Sequence, residues 1–388
     1  MVDSLPTDSN VLHVSGEILK GVLDHNSHEA TAIVMSGADK SVNLLHTTQP
    51  YPGMPVLLES SDSPILSCQV LFGQYLLTTS MSGKLAVHSL LENKIVAERR
   101  DHAKYVVKVV CREEGEEAWI ATAAWDAKVF LYHLKKTSAG LLELNDPVAE
   151  VKLPSNPEAV VFIEHPEIAA PVLLVSRRDS TFLYYYTLPK DDPRTVRDGP
   201  KALAYLGRQN LAPHSNAWIA FTPSALAISP HDPLLLAVAT SAVPHMKLII
   251  VRLLLPPPPL AGSTPAAPPE HLTQASQARG ELAQQDREDA AIVIHCTTLA
   301  PQTPYSTPAL SWRPNGSGVY VNGDDGVVRG LETTTGKIKA TLKGGHEAGS
   351  KIRCLWAGWA DGSGSREIIV SGGFDRRLVV WEVDDAKS

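Results

Sequence analysis

One tight turn keeps returning along this chain, and it constrains the fold more than any other feature. It reads SGADKSVNLL at 36–45, SMSGKLAVHS at 80–89, AAWDAKVFLY at 123–132, SRRDSTFLYY at 176–185, NGDDGVVRGL at 322–331 and GGFDRRLVVW at 372–381. Each copy sets an apolar run before the turn, small or acidic residues within it and a second apolar run after it. That is strand–turn–strand chemistry, in which Gly, Asp and Ser tolerate the bend and Val, Ile, Leu and Tyr fill the strands. Residues 224–255 (SALAISPHDPLLLAVATSAVPHMKLIIVRLLL) repeat the strand order without the Asp and bring the count to seven units. A unit of this size cannot bury its apolar faces alone and must stack on its neighbours. The 388 residues exceed the usual single core of about one or two hundred. An architecture that grows by repetition accounts for that length: one all-β domain over 1–388, with a seven-bladed propeller as the expected form among the sandwich, barrel and propeller that short strands with regular turns allow.

The remaining composition narrows the function classes. Lys plus Arg is 35 against 42 Asp plus Glu, a formal charge of −7. Phosphate-backbone binding needs a concentrated positive surface, so nucleic acid is not the expected partner. Cys68, Cys111, Cys296 and Cys354 lie far apart in apolar stretches and form no CxxC pair. They read as small hydrophobes in a reducing compartment, with no disulfide framework and no zinc ribbon. The opening MVDSLPTDSN has no basic stretch followed by an apolar one. The strongest apolar run, Leu248–Leu255, is broken by Arg252 and ends in four prolines. No membrane insertion is expected, and the location is read as intracellular, cytoplasmic or nuclear.

The final unit, GGHEAGSKIRCLWAGWADGSGSREIIVSGGFDRRLVVWEV, resembles a WD40 repeat. It carries a GH dipeptide, a Ser in the second strand, an Asp in the turn and a Trp in the third strand. The resemblance implies a hydrogen-bonded tetrad of His346, Ser371, Asp375 and Trp381, with Asp375 as the shared acceptor of the ring and the indole. The third unit keeps a variant in His102, Thr122, Asp126 and Tyr132, where a hydroxyl replaces the indole. Other units keep fragments: Asp39 with Leu45 at the Trp position, and Ser82 and His88 at the Asp and Trp positions. The chain is thus identified as a WD40-type propeller, and the resemblance covers nearly all of it as repeat architecture. The last unit stops after its third strand, because only DDAKS follows Val383. In this family an N-terminal strand commonly completes the last blade, and Asn10–Ser15 is the run expected to close the ring.

Residues 256–289 interrupt the fifth unit between its third and fourth strands. Pro256–Pro259, Pro265, Pro268 and Pro269 rule out a central strand. The second half has helix-forming composition, a thin apolar stripe and Gly280. The segment is read as a flexible surface insertion, with a docking segment for a partner as the sharper reading. Its two Arg against five Asp or Glu exclude a nucleic-acid tail.

No nucleophile elbow, Walker loop or dinucleotide fingerprint occurs, so no catalytic residue and no cofactor is expected. DHNSH at Asp24–His28 reads as a solvated turn rather than a metal site. Phe374-Asp375-Arg376-Arg377 departs from the FRRG motif of phosphoinositide-binding propellers. Trp125-Asp126-Ala127-Lys128 has the letters of the box carried by substrate receptors of cullin–DDB1 ubiquitin ligases, but it falls in a turn rather than at a strand end. Such a receptor is the alternative to the favoured reading, a non-catalytic scaffold: a single propeller within a hetero-complex that binds other proteins.

Antiparallel blades put the turns between second and third strands on the same face as the blade-to-blade connections. Sorting charge by face gathers Lys40, Lys84, Lys128, Arg177, Arg178, Arg376 and Arg377 in those turns, with Arg99, Arg100, Lys104, Lys343 and Lys351 nearby. Trp125 and Phe374 stand among them. Glu113–Glu117, Asp191 and Asp192 fall on the other face. The basic, aromatic-dotted face, with Arg99, Arg100, Trp125, Lys128, Arg177, Arg178, Arg376 and Arg377 as its contacts, is expected to receive an acidic or phosphorylated segment.

Overall fold

The computed structural model describes residues 2–19, 30–47, 56–57, 61–136, 142–168, 170–189, 199–214, 221–256, 274–360, 364 and 366–383. They form seven sheets, one per blade, antiparallel throughout except for one short parallel pair. The chain opens with β1 (Val2–Pro6), which belongs to the last blade. Blade 1 is β2 (Val11–Leu19), β3 (Ala30–Gly37), β4 (Val42–His46) and β5 (Val56–Leu57). Blade 2 is β6 (Ile65–Leu71), β7 (Tyr75–Ser80), β8 (Leu85–Ser89) and β9 (Lys94–Arg99). Blade 3 is β10 (Val106–Glu114), β11 (Glu117–Ala124), β12 (Lys128–Lys136), β13 (Leu142–Leu144) and β14 (Ala149–Lys152). Blade 4 is β15 (Pro157–Ile163), β16 (Val172–Arg177), β17 (Phe182–Thr187) and β19 (Ala204–Asn210); the short β18 (Lys201–Ala202) pairs in parallel with β14. Blade 5 is β20 (Thr222–Ile228), β21 (Leu235–Ser241), β22 (His245–Arg252) and β23 (Ile292–Pro301), with α1 (Gln274–Ala290) between the last two. Blade 6 is β24 (Leu310–Trp312), β25 (Gly318–Val321), β26 (Val328–Glu332) and β27 (Ile338–Leu342). Blade 7 is β28 (Ile352–Trp359), β29 (Glu367–Gly373) and β30 (Arg377–Val383), completed by β1.

The core is divided among the seams. Seven apolar clusters occur among the described residues, each joining two consecutive blades. At the seam of blades 2 and 3, for example, Leu77, Leu85 and Val87 meet Ile120, Phe130 and Tyr132. A middle strand is sandwiched by a blade on each side, so both of its faces are buried; β8 and β29 are buried throughout. This is why their sequences read as continuous apolar runs rather than alternating ones. The outer β9 alternates between exposed and half-buried residues.

The ring closes differently from the expectation. Val2–Pro6 pairs antiparallel with β30, from Val2 opposite Trp381 to Pro6 opposite Arg377. Asn10–Ser15 instead leads into β2, the innermost strand of blade 1. Val11 and Val14 bury in the cluster shared with Cys354, Ile368 and Val370 of blade 7, which fixes that run inside the ring. The polar VDSLP, alternately exposed, suits an outer edge, where a proline costs no ladder bond.

The Pro-rich interruption does lie between the third and fourth strands of blade 5. Its first part is outside the described residues, and its second part is α1. This helix is exposed on nearly all sides and is tied to blade 4 by Glu288, whose Oε1 accepts the Asn210 amide at 3.0 Å. Among the described residues no helix is long and apolar enough to cross a membrane.

Candidate functional site

The recurring turn joins the second and third strands of a blade. In blades 1, 2, 3, 6 and 7 the hairpin register centres on Asp39, Ser82, Asp126, Asp325 and Asp375. The next residue takes a left-handed conformation in all five: Lys40, Gly83, Ala127, Gly326 and Arg376, with φ of 73°, 88°, 60°, 75° and 56°. The blade 4 turn is one residue longer, and there Asp179 itself is left-handed (φ 57°). A second repeated bond ties five of these turns to the start of their own blade's first strand. Ala38, Met81, Trp125, Arg178 and Phe374 donate their amides to the carbonyls of Asn10, Pro64, Tyr105, Asn156 and Lys351, at 2.8–3.0 Å. Turns and blade-to-blade connections therefore share one face.

Beneath two of these turns lie buried polar chains. In blade 7 the Trp381 indole donates to Ser371 Oγ (3.1 Å), which lies 2.9 Å from His346 Nε2. His346 Nδ1 lies 3.0 Å from Asp375 Oδ2, which also accepts the Glu347 amide at 2.9 Å. The carboxylate selects the Nδ1–H tautomer, so Nε2 accepts from Ser371 and every donor finds an acceptor. The indole thus reaches Asp375 only through Ser371 and His346; the carboxylate is not its direct acceptor. The indole sits one strand away, opposite Ile369 in the register, while Ser371 lies between it and the ring. Burial holds the His346 ring below the usual imidazole range, which keeps it neutral. In blade 3, His102 bridges Thr122 (2.8 Å) and Asp126 (3.0 Å). Burial opposes ionisation of Asp126, yet the His102 ring and the amides of Ala103 and Lys128 hold its carboxyl below the usual range. The Tyr132 hydroxyl donates to Asp101 at 3.1 Å and also meets the Thr122 hydroxyl.

Two further blades substitute other partners. His88 Nε2 lies 2.9 Å from Thr78 Oγ1, occupying the place of the Trp381 indole. In blade 6, Asp325 binds the Arg329 guanidinium at 2.5 Å in place of a ring.

Charge on the turn face is largely neutralised from within. Arg99 donates to Asp101 (2.8 Å) and Asp146 (2.7 Å), and the hydrogen bond to Asp101 comes first among the causes that raise its pKa. Lys84 pairs with Glu98 at 3.1 Å and Lys351 with Asp324 at 3.4 Å. Lys128 is 3.9 Å from Glu150. Arg178 pairs with Glu158 at 2.8 Å, and Arg377 with Glu347 at 3.1 Å. Arg177 donates to Ser155 and to Tyr184, over whose ring it stacks at 5.1 Å. Arg177 and Arg377 are therefore half-buried structural residues. Of the cations grouped on this face, Lys40, Arg100, Lys104, Lys343 and Arg376 are exposed and have no ion pair among the described residues. Sequence reasoning grouped all these cations, because the acids that pair with them come from other strands and turns.

Exposed aromatics share this face. The Trp125 and Tyr105 rings stand 5.6 Å apart, and the Arg178 guanidinium lies 5.5 Å from the Trp125 ring. Trp125 is 38 % exposed, Tyr105 40 % and Phe374 44 %. Val243 and Tyr305, on the same face, were missed in the sequence: Val243 sits in the blade 5 turn, the copy that lacks the Asp, and Tyr305 on the connection between blades 5 and 6. Glu113–Glu117 sit at the opposite end of blade 3, where β10 turns into β11. Asp191 and Asp192, and the Asp24–His28 cluster, lie outside the described residues. Among the described residues no group of three or more His, Cys, Asp or Glu side chains is placed to hold a metal ion.

No curated protein matches this chain. A family model described as UCP007778, beta-propeller domain, matches residues 65–382, from the first strand of blade 2 through the third strand of blade 7. That is well over half of the sequence, and the chain belongs to this beta-propeller family.

Proposed function

We propose that this propeller is a non-catalytic WD40-type scaffold subunit that holds partner proteins on its turn face. The observation that carries the reading is the co-location of exposed Tyr105, Trp125 and Phe374 with the unpaired Arg100, Lys104 and Arg376. Aromatic anchors beside cations suit an acidic or phosphorylated segment: the rings supply buried area and the cations supply charge-assisted hydrogen bonds. The polar chains beneath the turns of blades 3 and 7 support the WD40 reading. The test is a pull-down of partners with Arg100→Glu, Lys104→Glu and Arg376→Glu combined, set against Glu113→Lys, Glu114→Lys and Glu116→Lys on the opposite face. The turn-face variant is expected to lose partners that the control keeps, and wild-type binding is expected to fade with salt. Loss from the control alone would move the docking site to the acidic face.

A further inference from the structure

We infer that Thr303 is a phosphate-acceptor site for a proline-directed protein kinase, with the Lys351 ammonium already placed to receive the phosphate. The chain holds six Ser-Pro or Thr-Pro dipeptides: Ser63, Thr222, Ser229, Thr264, Thr303 and Thr307 each precede a proline. The structure separates them. Thr264 lies outside the described residues, and Thr222 and Ser229 are buried. The Ser63 hydroxyl accepts the Ser82 amide at 3.0 Å. Thr307 is held twice: its hydroxyl accepts from the Arg353 guanidinium, and its carbonyl accepts from Asn322 Nδ2 at 2.9 Å. Among the described residues, Thr303 is the one such residue that is exposed.

Its setting suits modification. Thr303 opens a four-residue turn on the connection between blades 5 and 6, closed by the Ser306 amide on the Thr303 carbonyl at 3.0 Å. Tyr305 at its tip is 88 % exposed. Pro304 has no amide to leave unpaired when the segment is drawn into a kinase cleft. The Thr303 hydroxyl accepts from Lys351 Nζ at 2.8 Å and lies 3.4 Å from Asp324 Oδ2. In the reaction Thr303 Oγ attacks the γ-phosphorus of ATP. The new O–P bond forms as the bond to the β,γ-bridging oxygen breaks, ADP leaves with that electron pair, and the hydroxyl proton passes to the kinase's base. The product carries a charge of about −1.5 to −2 near neutral pH. Lys351 then exchanges Asp324 for the phosphate, and Asp324 is repelled from it.

The experiment incubates the full chain with a proline-directed kinase and ATP and maps phosphate by peptide mass spectrometry. A synthetic peptide spanning 299–313 serves as the unfolded reference. The peptide is expected to take phosphate at both threonines, and the folded protein at Thr303 and not at Thr307. Thr303→Val is expected to lose that phosphate entirely. A phosphorus-31 titration of the modified protein then reads the cation: Lys351→Ala should raise the phosphate's second pKa. Modification of Thr307 in the folded chain, or none at Thr303, overturns the site. An unchanged titration overturns the role of Lys351.

Discussion

Blades 1 and 7 meet at one seam and share one turn, yet they stabilise it by opposite means. Blade 7 runs a polar chain from Trp381 through Ser371 and His346 to Asp375. At the matching places blade 1 has Leu45 and Met35, both buried against blade 7. Its Asp39 stays exposed and accepts only locally, from the Ser41 amide (3.2 Å) and hydroxyl (2.7 Å). Both turns nevertheless pass through a left-handed residue, Lys40 and Arg376. The turn therefore does not depend on the chain beneath it. The polar chain adds stability only where its donors are buried, and apolar contact serves equally where they are absent.

The largest expected effect comes from removing what blade 7 alone requires. Deleting residues 2–6 strips β30 of its partner and exposes a sheet edge next to the ring's closure. Size-exclusion chromatography should show the monomer replaced by aggregates. A truncated chain that stays monomeric and melts like the full one would mean that the blade 1 seam alone secures blade 7.

Next comes Asp375→Ala. It leaves the His346 Nδ1–H, on a side chain that is 0 % exposed, without its acceptor, while the exposed Glu347 amide can turn to water. Each buried donor left unpaired costs roughly 1–3 kcal/mol. Ser371→Ala should cost about as much, since it orphans the Trp381 indole. Urea unfolding measures both.

This contrast also shows what could be read from sequence. The turn repeats gave away seven blades because a left-handed residue after a small or acidic one leaves a compositional mark. The partners in the polar chains were legible in blades 3 and 7, where all four residues are present. The hydrogen-bond order was not: in sequence Asp375 and Trp381 stand in one motif, and only the strand register inserts Ser371 between them. The closing strand was misplaced because NVLHVS has the apolar content of a strand, whereas the polar VDSLP that does pair with β30 has none of that signal. What places NVLHVS inside the ring is burial against blade 7, a long-range contact without local signature. Charge pairing across blades was hidden for the same reason, as Arg99 with Asp146 illustrates.

A third test lies in the strand blade 1 presents inside the ring. Burial first, then a small contribution from Glu113, raises Glu17 from 4.5 to about 7, against the hydrogen bonds of Ser15 and the Val70 backbone and the charge of Lys108. Burial and Lys108 lower His13 from 6.5 to about 3, against the Cys68 backbone. For Glu17 the folded state binds the proton more tightly, so its contribution is full below pH 4.5 and is lost as pH rises through 7. For His13 the unfolded state binds it more tightly, so stability falls as pH drops from 6.5 toward 3. Glu17→Gln should therefore gain stability over wild type at pH 8 and lose the advantage by pH 4. His13→Gln should flatten the acid limb. Thermal melts across pH read both, and a Glu17→Gln curve parallel to wild type would mean that this carboxyl titrates normally.

The smallest effect is expected at Asp39. Its bonds to Ser41 link neighbours in one exposed turn, and water can replace them when the carboxylate is removed. Lys40 keeps its left-handed backbone in either case, because the Lys40 amide bonds the Gly37 carbonyl and the Ala38 amide bonds Asn10. The seam below is already sealed by Met35 and Leu45, so no buried donor is orphaned. Asp39→Ala should thus shift stability by no more than about 0.5 kcal/mol, the ordinary range for a surface change. Paired with Asp375→Ala in the same urea series, it separates the turn from the chain beneath it. Equal losses at the two sites would show that the carboxylate stabilises the turn itself in both blades, and the distinction between blades 1 and 7 would fail.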